Sequence, residues 1–108
     1  MADATVVWEA YVPLKPLGGG KAMAHIGQAT WSAYDAVTNE LPTKLAEIKT
    51  ALLTPATYTE SAAAGVQVMF CDRTIASGAV TIERKVTGDT TGNGVVDTFN
   101  FMLIGRVT

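Results

Sequence analysis

The sequence predicts a mainly β domain: an antiparallel β-sandwich or open barrel of about five strands, with one α-helix over residues 40–53 packed at its side. Three observations carry this. Several runs of β-branched and aromatic residues alternate with period two, as in "ATVVWEAYV" and "AVTIERKV". One stretch, "NELPTKLAEIKTALL", shows helical spacing instead. Clusters of Gly, Pro, Asn and Thr separate these runs. One helix cannot cover both faces of such a sheet, so the sheet is expected to fold on itself. A two-layer α+β sheet is the alternative.

The first strand is Ala4 to Val12, with Val6, Trp8, Ala10 and Val12 on the expected buried face and Thr5, Val7, Glu9 and Tyr11 opposite. "PLKPLGGG" follows, a Pro/Gly arm at 13–20 that regular structure does not accommodate. In "KAMAHIGQATW", Met23, His25 and Trp31 share one strand face and Ala22, Ala24 and Ile26 the other, with Gly27 at a bulge. Leu41, Leu45, Ile48 and Leu52 form the helical stripe, capped by Asn39 or Thr43 and stopped by Pro55. "VQVMFC" reads as a strand with Val66, Val68 and Phe70 on one face; having no charge, it is expected at the sheet centre. In "AVTIERKV", Val80, Ile82 and Val86 share a face. In "VVDTFNFMLIG", Phe99, Phe101 and Leu103 point inward. Proximity in sequence makes the last three strands an antiparallel meander.

The 108 residues suit one domain with a single core. Charged residues are 17% of the chain, against about 25% in ordinary domains, so part of the surface is expected to be covered by another molecule. The net charge of −2 and the scattered Lys and Arg argue against nucleic acid as a partner. The lone Cys71 permits neither an internal disulfide nor a cysteine zinc site. The N-terminus lacks the pattern of a signal peptide, and no run is long enough for a membrane helix. The expected place of synthesis is a reducing cytoplasm.

"GDTTGNGVVDTFNF" poses the one metal question. Counted from Asp89, the stretch places Asn93, Gly94 and Asp97 where an EF-hand or dockerin loop has ligands and its glycine. Thr91 and Asn100 occupy positions that want an acid or amide and a bidentate carboxylate. The flanks are strands, and Asn93-Gly94 is a turn pair, so a hairpin tip at 87–94 is the expected structure. A small calcium- or carbohydrate-binding module using Asp89, Asn93 and Asp97 is the alternative.

Catalytic vocabulary is sparse. "PLGGGKA" lacks the hydroxyl residue and first glycine of a phosphate loop. His25 admits a triad on paper with Ser32 and Asp35, without a nucleophile motif to support it. Cys71 precedes Asp72, whose charge would raise a thiol pKa. Trp8, Tyr11 and Trp31 read as core rather than as a stacking platform. No enzyme, cofactor or small-molecule substrate is expected.

The abundance of Ala, Thr, Val and Gly, the few charges, and the closing "VTGDTTGNGVVDTFNFMLIG" resemble small structural proteins of tailed-bacteriophage particles, meaning capsid decoration (cement) proteins and tail components. The order strand, loop, strand, helix, strands is also similar to tail-tube folds. The resemblance implies a β-rich, non-enzymatic homo-oligomer located in the virion, with other virion structural proteins as partners. It assigns no residue a role. Independently, the first strand reads as an edge open to pairing. Val7, Tyr11, Leu14 and Leu17 are the expected assembly contacts.

Overall fold

A computed structural model describes residues 3–14, 21–32, 38–58, 67–86 and 96–107. These form seven strands: β1 (Thr5–Pro13), β2 (Ala22–Thr30), β3 (Thr38–Pro42), β4 (Glu47–Tyr58), β5 (Gln67–Ala76), β6 (Ala79–Val86) and β7 (Val96–Arg106). They make two antiparallel sheets, a four-stranded one in the order β1-β2-β7-β4 and a three-stranded one in the order β3-β6-β5. The class is mainly β, and no helix occurs among the described residues.

One core joins the sheets. Ala29 and Trp31 at the end of β2, Phe99, Phe101 and Leu103 of β7, and Ile48 of β4 meet Leu41 of β3 and Val80 and Ile82 of β6. Asn39 fixes the entry to β3. It is fully buried, its amide donates to the Ser32 and Thr38 carbonyls at 3.0 and 2.8 Å, and its oxygen accepts from the Ser32 N–H at 2.8 Å. A parallel bridge between Asp3 and Glu40 holds the chain ahead of β1 beside β3. Arg73 Nη1 donates to the Lys49 carbonyl at 3.0 Å, tying β5 to β4.

The helix over 40–53 does not form. Its residues lie in β3, a short connection and β4. The stripe is nonetheless real: Leu41, Leu45 and Ile48 are all buried, but Leu52 is 55% exposed. A bulge between Ile48 and Thr50 advances β4 by one residue, so Ile48, Ala51 and Leu53 turn inward. A step of three followed by a step of two imitates helical spacing. The α+β alternative and the likeness to tail-tube folds both rested on that helix and lose that support.

Other readings shift for related reasons. β5 is an edge strand, not a central one. Met69, Cys71 and Ile75 pack on the core while Phe70 is exposed, so its faces are the reverse of those expected. β5 and β6 do form a hairpin, closed by Ser77 (φ 53°) and Gly78 (φ 75°), the two positive angles a tight two-residue turn requires. β6 and β7 lie in different sheets, so the connection between them is not the turn of a paired hairpin. The tip at 87–94 itself lies outside the described residues.

β2 and β7 match expectation in their faces, and they pair with each other rather than through a meander. His25 pairs with Leu103, Gly27 with Phe101 and Ala29 with Phe99. Gly27 is not the bulge. The ladder to β7 runs through it without a break, and the bulge lies in β1 between Val6 and Trp8. Gly27 instead permits close approach: a Cβ there would collide with the Trp8 carbonyl and lie 2.7 Å from the Phe101 ring.

The register of β7 is testable by urea denaturation. Phe101→Ala should cost about 3–5 kcal/mol through lost burial and the cavity left behind. Thr98→Ala, on the opposite face, should cost under about 1 kcal/mol. Equal losses would contradict the register.

Candidate functional site

Two features of the four-stranded sheet are candidates, one on each face. The inner one is built around His25 at the middle of β2, which is fully buried. The extra residue in β1 reverses the faces of that strand beyond Val6. Glu9 pairs with Gly27 and Tyr11 with His25, which puts both on the inner side. Trp8, Ala10 and Val12 pair with Gln28, Ile26 and Ala24 and face outward. This is the opposite of the alternation expected for β1, because a bulge changes the phase of every residue after it.

His25 Nε2 lies 2.7 Å from Glu9 Oε2, and Nδ1 lies 3.0 Å from Thr43 Oγ1. Thr43 Oγ1 also accepts from the Leu45 N–H at 3.2 Å. One tautomer satisfies every partner: the Thr43 hydroxyl donates to Nδ1, and the Nε2–H donates to the Glu9 carboxylate. The Tyr11 ring stacks on the imidazole at 4.1 Å with 10° between planes, and Phe101 meets it edge-on at 4.9 Å. The Tyr11 hydroxyl accepts from the Lys44 N–H at 2.9 Å. Three elements are thereby clamped together: edge strand β1, central strand β2 and the connection from β3 to β4.

The geometry resembles a catalytic relay only superficially. The Thr43 hydroxyl is buried and already engaged by Leu45, so it is poorly placed to attack a substrate. The triad drawn with Ser32 does not form, since Ser32 Oγ donates to the Asp3 carbonyl at 2.6 Å. Asp35 lies outside the described residues. Arg84 is also buried, with its guanidinium 4.5 Å from the Trp31 ring centroid, a cation–π contact inside the core. Burial pushes the Cys71 thiol up, and the Asp72 charge adds to this, while the Arg73 N–H that bonds Sγ at 3.4 Å opposes it.

The outer feature is the exposed face of the same sheet. Register arranges it in rows across the strands β1, β2, β7 and β4. Val12, Ala24, Ile104 and Thr50 form one row; Ala10, Ile26, Met102 and Leu52 the next; Trp8, Gln28, Asn100 and Thr54 the third. None of these twelve is charged. Trp8 is 50% exposed, Val12 41% and Met102 39%, large values for such side chains on one face. Gln28 donates to Asn100 at 3.1 Å and Asn100 to Thr54 at 3.4 Å, a polar ladder along the third row. Charge appears beyond the first row, where Glu47 meets Lys49 at 2.6 Å and Arg106 at 3.2 Å. The hydrogen bond from Lys49, then the Arg106 charge, hold the Glu47 carboxyl below its ordinary value.

The expected assembly residues fall in several places. Val7 is the exposed extra residue of the bulge. Tyr11 is not on an outer surface but stacked inside. The Leu14 N–H donates to the Ala22 carbonyl at 3.0 Å, at the neck between β1 and β2. Leu17 lies outside the described residues, as do Asp89 and Asn93 and the side chain of Asp97. Among the described residues no cluster of three His, Cys, Asp or Glu could hold a metal. Nor is any helix there long and apolar enough to cross a membrane. Sequence reasoning missed the outer rows because the bulge and the paired strand β4 both had to be known first. No family model, curated protein or solved structure matches the chain.

One measurement tests the inner feature and another the thiol of Cys71. Thr43→Val removes a hydroxyl that serves both His25 and the Leu45 N–H, and should cost about 1–3 kcal/mol in denaturant melts. Thr54→Val, which removes an exposed acceptor, should be within about 0.5 kcal/mol of wild type. Cys71 should react slowly with iodoacetamide at neutral pH and speed up only as pH passes the ordinary thiol range. The sign follows from the upward shift: the unfolded thiol ionises at lower pH than the folded one, so stability falls as pH climbs between the two values. Fast labelling of the folded protein at pH 7 would contradict this.

Proposed function

We propose that the protein is a non-enzymatic structural subunit that works by association with itself and with a larger assembly. The observation that carries this is the uncharged, partly apolar outer face of the four-stranded sheet. A face of that kind is costly to leave in water and well suited to a protein partner, whose interface core is depleted of charge. The inner chemistry supports the same reading. Both ring nitrogens of His25 are engaged in holding strands together, and Cys71 carries a raised pKa. Two sheets around one core suit a sandwich, a form that presents such a face rigidly.

The composition and the closing sequence favour a place in a tailed-phage particle, as a capsid decoration or tail component, with other virion proteins as neighbours. Light scattering of the pure protein over a range of concentrations, and co-sedimentation with purified particles, test this. The expected result is concentration-dependent oligomers or saturable binding to the particle. A protein that stays monomeric and binds no particle would sink the proposal. A melting temperature that drops in EDTA would favour the calcium-module alternative.

A further inference from the structure

We infer that the outer face of the four-stranded sheet is a two-fold interface whose occupant is a second copy of this chain, stacked face to face. The inference rests on the association reading above and specifies the partner and its placement. Three arguments carry it.

The first is which surfaces remain for a partner. The edge strands carry devices that discourage pairing. β1 has its bulge and ends in Pro13. β4 is irregular at three places and contains Pro55. β5 breaks register between Cys71 and Ile75, with Arg73 at φ 64°. β3 has five residues and ends at Pro42. Bulges, prolines and short strands are how sheets prevent edge-to-edge association. No such device interrupts the three rows of the face.

The second is size. The three rows, about 6.8 Å apart on four strands spaced about 4.8 Å, cover roughly 400 Å² in projection, and the flanking rows through Ala22, Arg106 and Glu47 and through Thr30 and Thr98 extend the face to roughly 600 Å². Side-chain relief raises this toward the ~800 Å² per partner that a stable complex buries.

The third is self-complementarity. An axis lying between two such faces and parallel to the strands leaves each row opposite its own copy and reverses the strand order. β1 then lies over β4 of the second copy, and β2 over β7. Large residues meet small ones: Trp8 over Thr54, Leu52 over Ala10, Ile104 over Ala24. Gln28 comes over Asn100, amide to amide, and Ile26 over Met102. Stacked sheets separated by about 10 Å interdigitate in this way. A closed two-fold requires one patch to be its own complement, and these pairings meet that requirement. An acidic or basic partner would find no countercharge in the three rows.

Sedimentation velocity with exchanged charges tests the placement. Ala10 and Leu52 of one chain are three strands apart, about 14 Å, too far to pair with each other. Leu52→Lys and Ala10→Glu are each expected to weaken the dimer on the order of tenfold or more. An equimolar mixture of the two variants should regain the dimer, because each mixed pair sets Lys against Glu at one contact and keeps the native Leu–Ala contact at the other. Met102→Lys serves as a second disruptor should either variant not fold. Phe70→Lys, on the other sheet, should leave the dimer intact. A wild type that remains monomeric to about millimolar concentration overturns the inference. So does a dimer insensitive to Leu52→Lys but broken by Phe70→Lys; in that case the association reading survives. A monomer that also binds no particle removes both.

Discussion

The extra residue in β1 decides what each face of the four-stranded sheet can be. Without it, Trp8 and Val12 would point into the core, and Glu9 and Tyr11 out to solvent. With it, a carboxylate and a phenol are delivered to the buried imidazole of His25, and an indole and a valine are left outside. Close packing just past the bulge is possible because Gly27, the partner of Glu9, carries no side chain. The Trp8 carbonyl, the Phe101 ring and Glu9 Cα all crowd the space a Cβ would need. Bulge, glycine and aromatic ring thus form one device. Losing any of the three would disturb the inner network and the outer rows together.

The inner network also explains how a chain with so few charges keeps its first strand in place. β1 is an edge strand with little buried apolar area; of its hydrophobic residues only Val6 packs against the core. Polar contacts replace that missing area. Glu9 reaches His25, Tyr11 receives the Lys44 N–H, and Ala4 donates to the Glu40 carbonyl at 2.8 Å. Buried hydrogen bonds specify position better than apolar contact does, since a misplaced partner leaves a desolvated group unsatisfied. The same precision that holds β1 in register holds Trp8, Ala10 and Val12 in their rows.

What was legible in the sequence follows from how local each signal was. β2 and β7 could be read because they run without bulges, so their alternation survives intact from Met23 to Trp31 and from Phe99 to Leu103. β1 and β4 could not, because one inserted residue breaks the period and leaves nothing in composition to mark the place. From β3 through the connection into β4, Leu41, Leu45 and Ile48 keep a helix-like spacing, and their burial is real but is achieved without a helix. The deciding influence there is tertiary. Without β4, strand β7 would be an edge, with Phe99 and Leu103 less covered, and pairing along β7 outweighs the modest helix preference of "KLAEIKTALL". The pairing of β6 departs from the expected meander for a different reason. Nearness in sequence favours a meander, but a chain building two sheets must cross between them somewhere. The candidate metal residues were legible only as a pattern, and they fall outside the described residues.

Association through the face is physically distinct from association through an edge, and the distinction bears on how the proposed association would avoid uncontrolled growth. An open edge recruits any extended chain, because backbone hydrogen bonding carries no side-chain code, and it propagates without limit. A face recruits by shape and polarity, and a two-fold contact between faces closes after two copies. Irregular edges in β1 and β4 beside uninterrupted rows would, if the proposed association holds, steer contact to the surface where it terminates. The charged group of Glu47, Lys49 and Arg106 lies just past the rows, where an interface rim would be, and its two opposite-charge contacts are satisfied within the chain. In the proposed dimer such a rim would limit how far one sheet slides over the other along the strands, because sliding would carry uncharged side chains over ionised ones.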